Sequence, residues 1–236
     1  MKKKHRLYQE VRTQETAPGK WQIFLDAKPV KTPAGNPVIV PTKPLADAIA
    51  GEWRSEGDKM RLERMGLTRL ANTAIDRVSE NRAMPVAELL KFAGGDLLCF
   101  RASGPAQLVE RQSAVWDPLM EWAGKKYGIC LETRCDIAPL TLHRGDVAAV
   151  NSLLLQMDEF SVACLVAAAN ILGSVILALA LYDGLVDAAQ AFEAAELDSR
   201  YQAEIWGEDP ELTSRNANKL KDVSVIAQFL GLAGAL

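Results

Sequence analysis

The side chains with the most obvious chemical potential are Glu193, Glu196 and Asp198, followed closely by Tyr201, Gln202, Trp206 and Glu208. Carboxylates this near in sequence could share a cation or act as an acid–base pair, which defines one reading of the chain: a small acidic-site hydrolase or metal-assisted enzyme. That reading requires the acids to converge in a concave site. On a helix Glu193 and Glu196 are neighbours, and Tyr201 and Gln202 fall one turn beyond Asp198. Like charges so spaced destabilise a helix slightly unless cations or solvent compensate, and compensation by solvent is the plain expectation. In Glu208-Asp209-Pro210-Glu211, Asp209 reads as a helix N-cap, Pro210 as the first helical residue and Glu211 as an acid at the positive end of the helix dipole. Glu208 lies outside that helix and is free to meet a partner. Between Arg144 and Arg200 there is no Lys or Arg, but there are eight acids. A segment of one charge sign suits a protein partner better than a small substrate.

Other catalytic apparatus is missing. The sequence has no Gly-x-x-x-x-Gly-Lys-Ser/Thr loop, no Gly-x-Gly-x-x-Gly after a strand and no His-Glu-x-x-His. Cys99, Cys130, Cys135 and Cys164 form no Cys-x-x-Cys pair, and only His5 and His143 could complete a zinc site, so neither metal nor cofactor is expected. His143, in a Leu-His-Arg-Gly segment, reads as a surface-loop histidine rather than the base of a cysteine nucleophile. Cys99 and Cys164 sit among apolar residues, as reduced core cysteines do. Up to residue 90 there are 16 basic and 11 acidic side chains, and beyond it 11 and 19, giving +5 and −8. Neither part is basic enough for nucleic acid, and the five cations among the first twelve residues read as a solvated arm. Those cations lead into Tyr8, Gln9, Glu10 and Arg12 rather than an apolar core, so a cytoplasmic protein is expected.

The elements that must position these residues follow from periodicity. Trp21, Ile23 and Leu25 mark a strand, and Val38-Ile39-Val40 a second, in a region whose prolines at 29, 33, 37 and 41 confine them to hairpins or edges of a small sheet. Thr42 is a plausible cap for a helix carrying Leu45, Ile49 and Trp53. Leu67, Leu70, Ala71, Ala74, Ile75 and Val78 predict one regular amphipathic helix. Beyond the break at 81–85 the pattern is almost wholly helical. The expected fold is therefore an α+β N-terminal domain over 1–88, with a small antiparallel sheet plus helices, followed by an all-α helical-bundle domain over 89–236. Pro105 opens a helix carrying Leu108, Val115, Leu119 and Trp122, Asp146 is expected to cap the next, and a last helix carries Leu212, Leu220, Val223, Ala227 and Leu230. The run Phe160–Tyr182 holds 23 uncharged residues, enough to span a bilayer as one helix. Its alanines, Asn170, Ser174 and acidic flanks without cationic anchors favour a buried hairpin in a protein that does not insert into membranes. Membrane-surface binding is a further, weaker reading. Trp53, Trp116 and Trp122 read as core or domain-interface packing. Trp206 is of the same kind but closes the acidic segment.

The order of motifs carries a resemblance. Glu52-Trp53, Leu67-Thr68-x-x-x-Asn72-Thr73-Ala74-Ile75-Asp76, Trp116-Asp117-Pro118 with Glu121-Trp122 and Tyr127-Gly128, Gly173-Ser174 with Leu177-Ala178-Leu179-Ala180-Leu181, and Leu197-Asp198 with Tyr201-Gln202 and Trp206-Gly207 resemble the assembly chaperones of the ATP synthase catalytic head that bind its free alpha subunit, the ATP-twelve family. The resemblance runs from about Trp21 to the last helix. It implies an ATP-independent chaperone, not an enzyme, which keeps the unassembled alpha subunit from aggregating, is a monomer when free, and is cytoplasmic in bacteria and mitochondrial in eukaryotic relatives. The family's acidic position before Tyr-Gln matches Asp198, where many relatives carry Glu, and its Trp after Glu matches Trp53. The partner-contacting set is expected to be Asp198, Glu196, Tyr201, Gln202, Trp206 and Glu208.

Overall fold

In a computed structural model that describes residues 8–57, 61–136, 138, 141–207 and 209–234, the chain folds as a small antiparallel sheet with covering helices, followed by a helical assembly. Strand β1 (Val11–Ala17) pairs with β2 (Lys20–Leu25) through a turn in which Gly19 takes a positive φ of 68°. The two-residue strands β3 (Lys28–Pro29) and β4 (Ile39–Val40) share the other edge of β2, in register Leu25 with Lys28 and Trp21 with Val40. The proline-containing strand is thus an edge, as its missing N–H requires. The basic N-terminal segment ends sooner than its composition suggests. Arg12 belongs to β1 opposite Phe24 and lays its guanidinium over that ring at 4.8 Å, because a polar strand still gains a full ladder from β2. The other four cations of that segment lie outside the described residues.

Helix α1 (Lys43–Ser55) starts at Thr42, whose hydroxyl accepts from Leu45 N, and its buried Leu45, Ala46, Ile49, Ala50 and Trp53 cover the sheet against Ile23 and Val40. Helix α2 (Gly66–Thr73) is capped from outside: the Glu52 carboxylate accepts from Leu67 N and Thr68 N, each at 2.8 Å. The expected regular helix over 67–78 is not one. From Ala74 to Val78 the backbone widens into a π turn, with Ser79 N donating to Ala74 O. This turn brings Asp76 against the β3–β4 connection, where it accepts from Thr32 Oγ1, Asn36 Nδ2 and Ala34 N. Burial alone would raise the Asp76 carboxyl, but these three donors outweigh it and hold it below the usual carboxylate range.

Helices α3 (Ala83–Ala93), α4 (Ala106–Tyr127) and α5 (Arg144–Gln156) lead to the interior pair, α6 (Glu159–Leu172) and α7 (Val175–Tyr182). Asp146 does not cap α5. His143 occupies the N-cap position, and Asp146, in the first turn and buried, accepts instead from Cys130 N at 2.7 Å, which ties the preceding loop down. The apolar run breaks at Gly173, with φ 69° and its N–H on Ala169 O, and at Ser174, whose hydroxyl accepts from Leu177 N. Every residue from Val175 to Leu181 is buried. Asp96, fully buried, accepts from Val175 N, Ile176 N and Leu98 N, supplying the start of α7 with acceptors it would otherwise lack. Among the described residues no helix is long and apolar enough to cross a membrane. Helices α8 (Ala188–Ala195), α9 (Leu197–Trp206) and α10 (Pro210–Ala233) complete the chain, and α10 packs against both α6 and α2. One contiguous apolar cluster runs from the sheet through α6 and α7 to α10.

Candidate functional site

The acidic segment is a pair of short helices held from behind. Asp187 and Gln190 form a reciprocal capping box that starts α8. Trp116, fully buried on α4, donates from its indole N–H to Ala194 O at 2.9 Å, fixing the end of α8 to α4. One turn earlier on α4 the buried Gln112 accepts from Ala102 N and donates from Nε2 to Asp198 Oδ1, each at 2.8 Å. Asp198 lies in the first turn of α9, where its charge also meets the positive end of the helix dipole. It is half-buried: one oxygen is committed to the fold and the residue still reaches the surface.

The neighbouring acids are not compensated by solvent alone, as their spacing suggested. Glu196 is buried and pairs with Lys219 of α10, Glu193 pairs with Arg200 at 3.0 Å, and Glu204 pairs with Arg111 of α4 at 2.7 Å. The cations come from helices remote in sequence or from one further along, which spacing cannot display. Tyr201 is also buried, its ring 5.2 Å from the Arg111 guanidinium. Gln202, Ile205 and Trp206 are exposed, Trp206 at 81%. Glu208 lies outside the described residues. Asp209 caps α10 through Glu211 N. Between α4, α8 and α9 a cleft of about 340 Å³ is lined by Arg111, Val115, Glu193, Leu197, Arg200 and Glu204, among others.

Acids that close ion pairs and cap helices are not poised as general bases, and among the described residues no three His, Cys, Asp or Glu side chains gather as a metal site. The edge can instead make contacts: a large bare indole, the β-branched Ile205 beside it, and mixed charges on an immobilised helix. Trp116 lies buried behind this edge against Ala194, whereas Trp53 and Trp122 are not gathered there. Trp53 packs edge-on against Tyr8 at 6.0 Å beneath the sheet region, with the Tyr8 hydroxyl on its carbonyl, and Trp122 sits half-buried edge-on to Tyr127 at 5.5 Å. Gln112 and Arg111, which position Asp198 and Glu204, carry no local sequence signal because their partners lie 86 and 93 residues away.

A profile of the ATP12 chaperone protein family matches residues 5–124. The crystal structure of Atp12 from Paracoccus denitrificans is 32% identical and superposes with a TM-score of 0.89 over 97% of this chain and 98% of that one. A Lys-for-Asp point mutant of the same Paracoccus protein superposes equally well, with 31% identity over 97% of each chain. Among curated proteins, the mitochondrial atp12 of Schizosaccharomyces pombe is 27% identical over 208 residues, 80% of this chain and 69% of that protein.

Proposed function

The chain belongs to the ATP12 chaperone family, which makes it a chaperone of ATP synthase assembly and not an enzyme, and on that premise we propose that it binds the unassembled alpha subunit of the catalytic head without using nucleotide. A free alpha subunit exposes surface that its neighbours later cover, and large bare apolar patches aggregate. A holdase must mask that surface and yet yield it to tighter native contacts with no energy input, so its own contact has to be specific but modest. The observation that best supports this role is Trp206, almost wholly bare beside Ile205 at the end of a helix that Gln112, Lys219 and Arg111 hold in place. A few aromatic anchors amid charges give encounter and selectivity while keeping dissociation open.

In this reading Asp198, Gln202, Trp206 and Glu208 meet the client, while Glu196 and Tyr201 support them from inside. The same reading takes the protein to be a cytoplasmic monomer when free, with a sheet-bearing domain over 1–88 and a helical one over 89–236. The test is light scattering of isolated alpha subunit at a temperature where it precipitates, with an equimolar amount of this protein, with and without Mg-ATP. Suppression in both conditions supports the proposal. Unchanged scattering, or suppression that requires ATP hydrolysis, contradicts it.

A further inference from the structure

The four acids between residues 193 and 204 are held in two different ways. Glu193, Glu196 and Glu204 are paired with Arg200, Lys219 and Arg111 respectively, so their charges are largely cancelled where they stand. Asp198 is held by a neutral amide instead. Gln112, 1% exposed on α4, accepts from Ala102 N through Oε1 and donates from Nε2 to Asp198 Oδ1. The backbone N–H of Ala102 can only donate, so it fixes which end of the amide faces it and leaves the NH2 group to face the carboxylate. An amide donor orients a carboxylate without neutralising it.

Among the described residues no cation is within ion-pair distance of Asp198. Arg101, just before α4, is paired with Asp117, and Lys125 and Lys126 at the far end of α4 are paired with Glu121 and Asp183. Glu110, two residues from Gln112, is exposed and of the same sign as Asp198. The dipole of α9 favours the charged form of Asp198 but supplies no counter-ion. Asp198 Oδ2 accepts no hydrogen bond among the described residues, and it is not closed off from solvent. Gln202 and Trp206 follow at intervals of four, both exposed, so carboxylate, amide and indole stand along one side of α9 over about 12 Å.

We propose that Gln112 is a positioning residue for capture of the client: it presents Asp198 with its charge uncancelled and one oxygen open, and that oxygen receives an arginine or lysine side chain of the client. The same stretch of the client sets an apolar side chain on Trp206, two turns further along α9. This pairing rests on the client reading above and adds the chemical partner of Asp198 and the residue that prepares it. Unlike a purely structural hydrogen bond, Gln112 then affects capture only through Asp198.

The test is a double-mutant cycle on capture of the isolated alpha subunit by the unaltered protein, Gln112→Met, Asp198→Asn and the two combined, each at low and high salt. Methionine keeps the length of Gln112 but has no N–H to give. Each single substitution should lower affinity about tenfold, and the double variant should capture no worse than Asp198→Asn alone. Salt should weaken capture by the unaltered protein more steeply than capture by Asp198→Asn, which has one ion pair fewer to screen. Melting curves confirm that each variant is folded. Gln112→Glu, which keeps an acceptor for Ala102 N but opposes Asp198 with a like charge, replaces Gln112→Met if the latter is not. Undiminished capture by the Gln112 variant, or losses that multiply in the double variant, overturns the positioning role. An equal salt dependence in Asp198→Asn overturns the cationic partner, and either result leaves the client reading intact. Failure of the unaltered protein to capture the alpha subunit overturns both.

Discussion

The α6–α7 hairpin and helix α9 solve opposite problems with similar materials. In the hairpin, polar groups at the helix ends are spent on the fold: Asp158 caps α6 through Phe160 N and Ser161 N, Ser174 caps α7, and Asp96 takes the N–H groups of Val175 and Ile176. In α9 the inner side is spent in the same way, through Asp198, Glu196 and Tyr201, but the outer side keeps Gln202, Ile205 and Trp206 bare. Side chains that satisfy a backbone need are structural, whereas large ones that satisfy none are candidates for a partner. Damage to the first kind should therefore cost stability, and damage to the second should cost capture.

The largest expected effect is on the structural side. Trp53→Arg places a cation where a packed indole was, at 9% exposure against Tyr8, and is expected to destabilise by roughly 3–5 kcal/mol or to prevent folding. An unchanged melting temperature would place Trp53 outside the structural class. Asp96→Asn comes next. Near pH 4, where the folded Asp96 carboxyl holds its proton, both of its oxygens can still accept from the backbone amides, whereas an amide NH2 cannot accept, so the substitution should cost about 2 kcal/mol in urea titrations at that pH.

The pH dependence of that cost has a definite sign. Complete burial pushes the Asp96 carboxyl up to about 6, against the opposing hydrogen bonds from the Ser174 hydroxyl and the Leu98, Ile176 and Val175 amides. A raised carboxyl binds its proton more tightly in the folded chain than in the unfolded one. Its contribution is therefore fully present below the unfolded value of 3.8 and is lost as pH rises through about 6. The stability advantage over Asp96→Asn should accordingly narrow between pH 4 and pH 7. A gap that widens over that range would contradict the burial argument.

Asp198→Lys tests the boundary between the two classes. It loses the hydrogen bond from the buried Gln112, at a cost of about 2 kcal/mol, and reverses the charge at the edge, so capture of the alpha subunit should weaken while the fold persists. Undiminished capture in a pull-down would move Asp198 wholly to the structural side.

How much of this was legible in the sequence depended on distance along the chain. The Thr42 and Asp209 caps, the helix through Leu45 and Trp53, and the break at Gly173-Ser174 are written in residues a few positions apart, and the structure has them there. The π turn, the displacement of Asp146 from capping, the inclusion of Arg12 in β1 and the Lys219 partner of Glu196 are set by tertiary contacts, which local spacing does not encode. At the site, sequence reasoning put Asp198 and Trp206 on the same helix, but it could not tell that one is anchored by Gln112 and the other is bare.

The account turns on the bare edge of α9 being a client surface rather than surplus. Trp206→Ala separates these, because the indole makes no hydrogen bond or ring contact among the described residues and its removal should leave stability within about 0.5 kcal/mol. Measured side by side on that variant, thermal melting should be unchanged while suppression of alpha-subunit aggregation falls severalfold. Full protection by a variant that melts normally would contradict the assignment of α9 as the contact.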